Sequence, residues 1–156
     1  MTKTKASSIR ILLTLSGLTF LGPFALDAFL PAIKDAAQDL NTTEGQIMIS
    51  WGMLAVGSGL GQIFYGPISD KVGRKPVIIF GLTLYIITSA ISSTVTNIEP
   101  LFFLRFFQGL AVASSMIMMR SVVRDLFNVK EGAKLFSNLF CILAFMPIIG
   151  PIIGGY

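Results

Sequence analysis

Long windows holding no ionised residue, or only one, alternate along the chain with short charged connections. These windows predict helices near residues 10–31, 46–66, 76–96, 100–119 and 135–156, each close to the roughly 20 residues that cross a bilayer core. Segments such as Pro76–Thr88, PVIIFGLTLYIIT, are apolar on every side. A membrane β-barrel would instead need strands of about 10 residues with alternating apolar and polar positions. Only helices and closed barrels satisfy their backbone groups in lipid, so the pattern predicts an all-α membrane protein with about five transmembrane helices.

Composition agrees with that count. The chain is 53% hydrophobic and 13% charged, against about 25% charged in soluble domains, and its mean hydropathy is +0.77. Its 156 residues are therefore divided into membrane spans rather than counted as one soluble domain. Lys and Arg mark the cytoplasmic side. Lys3, Lys5 and Arg10 precede the first predicted helix, Lys71, Arg74 and Lys75 separate the second from the third, and Arg120, Arg124, Lys130 and Lys134 separate the fourth from the fifth. Ten of the 12 basic residues thus share one side, and the alternate loops hold only Lys34. The N-terminus is expected to be cytoplasmic and Tyr156 to lie near the outer face. The formal charge of +4 reports this topology. A nucleic-acid partner would require a basic, aromatic-bearing soluble surface, which is absent.

Several chemistries drop out. The first apolar run, about 20 residues long, exceeds the 7 to 15 of a secretory signal core, so it reads as a retained span. The chain has no histidine, which removes imidazole metal sites and the usual side chain titrating near neutral pH. Cys141 stands alone in an apolar segment and reads as a small buried packing residue. Without the familiar nucleophile and base pairs no enzyme is expected, nor any metal or cofactor.

Charge inside the membrane remains. An ionised side chain at mid-bilayer costs about 2.5 to 3.5 kcal/mol on insertion scales, so it marks a functional candidate. Asp27 and Arg105 qualify. Asp27 precedes Pro31 by four residues and Arg105 follows Pro100 by five; at the rise of an α-helix both sit roughly 6 to 8 Å below the outer boundary. They are placed to pair. Alternatively, Arg105 snorkels to the interface and Asp27 is hydrated at a frayed helix end. Pro31 cannot donate to the Asp27 carbonyl, and the helix dipole disfavours a carboxylate there, so a polar cavity is expected. Phe20, Pro23, Phe24 and Asp27 share one helical face; Arg105, Gln108, Val112, Met116 and Met119 share another. Singly, such Phe and Met residues are ordinary packing or lipid-facing positions. Together they suit a pocket that re-packs around varied lipophilic or cationic ligands.

Small residues form a third pattern. Gly57 and Gly61 lie four apart in the second predicted helix, Gly150 and Gly154 four apart in the fifth. This spacing permits close helix approach, either as static packing or at a moving interface. Prolines in the fifth helix remove donors toward Leu143 and Pro147 and predict a bend.

Between the second and third helices, Gly66–Pro76 reads GPISDKVGRKP, a short charged turn. With Gly66, Asp70, Gly73, Arg74, Lys75 and Pro76 in order, it resembles the signature loop of major facilitator superfamily transporters. RFFQGL, with Arg105, Gln108 and Gly109, resembles that family's second motif, although Ala111 stands where glycine is common. Gly150, Pro151, Gly154 and Gly155 resemble its antiporter motif. DAFLPAI and RSVVRDLF look like the Bcr/CflA multidrug efflux branch.

The resemblance implies a proton-driven exporter of drugs or other lipophilic compounds in the bacterial cytoplasmic inner membrane. It implies that Asp70 and Arg74, with Gly66, Gly73 and Lys75, latch the two halves of the transporter. It assigns proton coupling to Arg105 and Asp27, while the helical faces place the substrate cavity at Phe20, Phe24, Gln108, Val112 and Met116 and the glycine spacing places a helix interface at Gly57, Gly61, Gly150, Gly154 and Gly155 with Pro151. Family members have two six-helix halves with the substrate site between them. The present chain is expected to be an N-terminal portion that lacks the C-terminal half and does not transport alone. A membrane fragment that assembles with other helices, or an importer of a small metabolite, are the other readings.

Overall fold

Local chemistry sets where each helix starts and stops. The computed structural model describes residues 29–145 together with Gly17, Phe20 and Ile149, so most of the first predicted helix and the end of the fifth lie outside the described residues. A single turn at Leu30–Ala32 leads into α1 (Ile33–Asp39), followed by α2 (Glu44–Val72), α3 (Arg74–Ser92), α4 (Ile98–Leu126) and α5 (Val129–Leu143). No strand occurs among the described residues, and α2, α3 and α4 are each long and apolar enough to cross a membrane. Lys34, expected in a loop, sits in α1.

Thr43 is extended and its hydroxyl accepts the Gln46 N–H at 3.3 Å, while Glu44 occupies the first turn of α2. Both features stabilise a helix N-terminus. The helix then runs 29 residues, about 44 Å at 1.5 Å per residue, and so outruns a hydrocarbon core of about 30 Å.

That length corrects the expected turn. Gly66 through Val72 is helical, with Pro67 inside the helix, and the chain reverses only at Gly73. Pro67 withdraws the backbone donor that would meet the Ile63 carbonyl, and two residues on the Ser69 hydroxyl donates to the Gly66 carbonyl at 2.8 Å. Gly73 has φ +93° and ψ 164°, a region essentially reserved for glycine, and its N–H closes α2 on the Ser69 carbonyl at 3.0 Å. Pro76 falls in the first turn of α3, where a missing N–H costs nothing.

The other ends also differ from the apolar windows. Helix α4 passes beyond residue 119 to Leu126 because Arg120 and Arg124 end the lipid-compatible stretch without ending the backbone hydrogen bonding. Helix α5 begins at Val129 rather than near 135. Asn128 Oδ1 accepts the Glu131 N–H at 2.9 Å and the Glu131 carboxylate accepts the Asn128 N–H at 3.4 Å, a reciprocal capping box. Cys141 is exposed, contrary to the buried position expected. Leu135 and Leu139 of α5 are buried against Met119 and Val123 of α4, with Phe136 partly buried beside them, and Cys141 lies away from that face.

Helix α4 packs against both α2 and α3. A side-chain carbon at Gly57 would collide with the Phe106 carbonyl oxygen, and one at Gly109 with the Leu54 carbonyl oxygen. At Gly61 it would lie 2.6 Å from the Ala113 Cβ. Gly81 of α3 similarly receives Ser114. With lipid rather than water around them, membrane helices have no hydrophobic drive to associate and do so through such close contacts. Apolar clusters flank the seam, Tyr65, Val77, Ala113 and Met118 on one stretch and Ala37, Ile47 and Leu101 at the α1 end. Ile63, Phe64, Ile86 and Phe103 remain more than half exposed, as side chains facing lipid do.

Candidate functional site

Helix α4 carries charge near both ends. At its C-terminal end Arg74 joins three helices' worth of polar groups. Its Nη1 donates to Asp70 Oδ1 at 2.9 Å and to the Ser69 hydroxyl at 2.8 Å, and its Nε and Nη2 reach Asp125 Oδ2 at 3.3 Å. Asp70 and Arg74 meet because they lie one turn apart across Gly73. Asp125 comes from α4, brought alongside by the glycine seam. The side chains are 25%, 63% and 46% exposed for Arg74, Asp70 and Asp125, so each pair contributes on the order of 0.2 to 1 kcal/mol. The cluster therefore orients the α2–α3 junction against α4 more than it stabilises the fold. Lys75 and Lys71 are exposed and take no part in it.

At the other end Arg105 is half-buried, and its guanidinium carbon stands 4.1 Å from the centroid of the Phe29 ring. Nη1 donates to Gln108 Oε1 at 3.1 Å. Gln108, buried, donates from Nε2 to the Ser89 and Ser92 hydroxyl oxygens of α3 at 3.2 and 3.3 Å. Among the described residues the Arg105 Nε is buried and has no hydrogen-bond partner. A charged donor left in that condition is costly, so the geometry is ready for an acceptor.

Of the residues predicted for proton coupling, Arg105 lies in this cluster and Asp27 lies outside the described residues. Among the cavity residues, Phe20 is half-buried, Gln108 and Val112 are buried in the helix packing, Met116 is half-buried, and Phe24 lies outside the described residues. Met119, on the same stripe, packs against α5. Gly57 and Gly61 are in the α2–α4 seam, whereas a side chain at Gly66 would meet open space. Gly150, Pro151, Gly154 and Gly155 lie outside the described residues. Asp125, Phe29, Ser89 and Ser92 were not singled out from the sequence. Asp125 stands at the level of the basic clusters, which is a signal, but nothing in the linear order pairs it with Arg74.

The family model described as Major Facilitator Superfamily matches residues 15–156. The "Bicyclomycin resistance protein homolog" of Haemophilus influenzae is 33% identical over 150 residues, covering 96% of this chain and 38% of that protein. "Multidrug resistance protein D" of Escherichia coli strain K12 is 33% identical over 148 residues, covering 95% of this chain and 38% of its own length. "Multidrug resistance protein MdtL" of Vibrio parahaemolyticus is 31% identical over 145 residues, at 93% and 37%. The chain thus spans somewhat over a third of the length of these relatives.

Proposed function

As the chain belongs to the Major Facilitator Superfamily, we propose that it forms part of a proton-driven exporter of drugs or other lipophilic compounds, seated in a bacterial cytoplasmic membrane with its N-terminus inside. Relatives named for multidrug and bicyclomycin resistance support the substrate class. The observation that carries the coupling is Arg105, a charge held within a membrane span with a buried Nε that has no partner among the described residues.

In this reading Asp27 is the exchangeable carboxylate. Arg105 keeps it ionised until a proton or a cationic substrate competes. Phe20, Phe24, Val112 and Met116 offer an adaptable apolar wall, and the second half of a family fold supplies the opposite one. Asp70 and Arg74, now joined by Asp125, act as the latch: their pairs are weak enough to break as the halves rock and directional enough to re-form. Gly66, facing open space beside them, leaves room for a helix of the other half.

The direct test is a full-length transporter containing this chain, reconstituted in vesicles with an imposed proton gradient. Efflux of a fluorescent lipophilic cation should rise with the gradient. Efflux indifferent to it would defeat the proposal.

A further inference from the structure

Beside the Gly73 reversal α2 and α3 part, and the space between them is apolar. Tyr65, Ile68 and Val72 of α2 and Pro76, Val77 and Phe80 of α3 line a groove of about 310 Å³. Its floor is anchored, since Tyr65 and Val77 belong to a core cluster with Ala113 and Met118 of α4. Its rim is open, with Ile68, Val72 and Phe80 44%, 57% and 58% exposed. Successive residues of an α-helix turn by about 100°, so residues two apart lie on nearly opposite faces. Gly66 and Asp70 therefore face away from Ile68 and Val72. The side of α2 that carries the Arg74 cluster is not the side that carries the groove, which is left to lipid.

Charge frames the open end. Lys71 and Lys75 stand two residues before and two after Gly73, both exposed and neither in an ion pair among the described residues. Lys71 lies one turn from Ile68 on the same strip of α2. The nearby carboxylates of Asp70 and Asp125 are both engaged by Arg74. Lysine stems lie along apolar surface while their ammonium groups stay at the membrane boundary, and basic pockets between helix ends attract anionic headgroups. An apolar slot below two uncommitted ammonium groups matches a molecule with a hydrocarbon tail and a negative head.

We propose that this groove holds an acyl chain of an anionic phospholipid, with the headgroup phosphate between Lys71 and Lys75. The site lies outside the proposed transport pathway and does not depend on the export reading. Bound there, the lipid fills the space beside Val72 and braces the α2–α3 reversal.

The test is native mass spectrometry of the full-length transporter containing this chain, delipidated and then titrated in detergent with dioleoylphosphatidylglycerol, dioleoylphosphatidylethanolamine or dioleoylphosphatidylcholine. The parent should retain phosphatidylglycerol about tenfold or more over the other two, each lysine at a membrane surface contributing about fivefold. Lys71→Gln with Lys75→Gln should remove most of that preference. Ile68→Trp, which fills the slot, should weaken phosphatidylglycerol retention severalfold. Lys130→Gln with Lys134→Gln, an equal loss of charge on α5, should change neither. Equal retention of the three lipids by the parent would overturn the proposal, as would a preference that survives both groove variants or falls as far in the α5 variant. If the Lys71 and Lys75 double variant does not accumulate in the membrane, Ile68→Trp decides: retention equal to the parent's excludes the groove.

Discussion

Arg74 and Asp125, 51 positions apart, meet at 3.3 Å where α3 begins and α4 ends. The contact ties the α2–α3 junction to a helix that follows it by a full span, and it gives Arg74 a second carboxylate besides Asp70. Because all three side chains are partly exposed, its role is orientation.

A double-mutant cycle follows from that view. Arg74→Ala and Asp125→Ala, measured by thermal unfolding of the chain in detergent, should couple by no more than about 1 kcal/mol. In the full-length transporter the same Asp125→Ala should change the accessibility of the cytoplasmic face to a water-soluble thiol reagent by severalfold. A coupling of several kcal/mol with unchanged accessibility would make the cluster a structural clamp instead.

The seam between α2 and α4 makes a sharper stability prediction. Gly57→Ala drives a methyl into backbone at Phe106 and should destabilise the chain by about 1 to 3 kcal/mol. Gly59→Ala, two residues away with nothing within 4 Å of the new methyl, should be neutral or stabilising by up to about 1 kcal/mol, since alanine favours the helix. Thermal unfolding in detergent separates the two. Equal effects would mean that helix propensity, and not close approach, governs this seam.

Gly73 supplies the α2–α3 reversal at φ +93°. Gly73→Ala should cost about 1 to 3 kcal/mol through backbone strain. It should also loosen the Arg74 contacts, seen as faster hydrogen exchange confined to the ends of α2 and α3. Gly73→Asn should cost about as much, because asparagine tolerates positive φ in the left-handed helical region and not at ψ 164°.

Much of this was legible beforehand, and the failures share a cause. Apolar windows locate lipid, so they found α2, α3 and α4. They stopped at Gly66 and residue 119 because charge begins there, although hydrogen-bonded backbone continues to Val72 and Leu126. Helical spacing paired Asp70 with Arg74 and marked Gly57 and Gly61 as one face. It was silent on what that face meets, since Phe106 and Gly109 belong to another helix and only the folded chain selects the partner. The pairing of Asp125 with Arg74 and the contacts of Ser89 and Ser92 were invisible for the same reason. Cys141 was misplaced because an apolar environment around a helix does not say which of its faces is buried by protein.

In the proposed mechanism Asp27 gives up or takes a proton under the control of Arg105. The most direct measurement is proton release when a lipophilic cation is added to the purified full-length transporter in weakly buffered detergent, followed with a pH indicator. The parent should release protons on binding, most strongly at pH values where Asp27 is partly protonated, and Asp27→Asn should bind the cation without release. Release of equal size from Asp27→Asn would show that another group exchanges the proton.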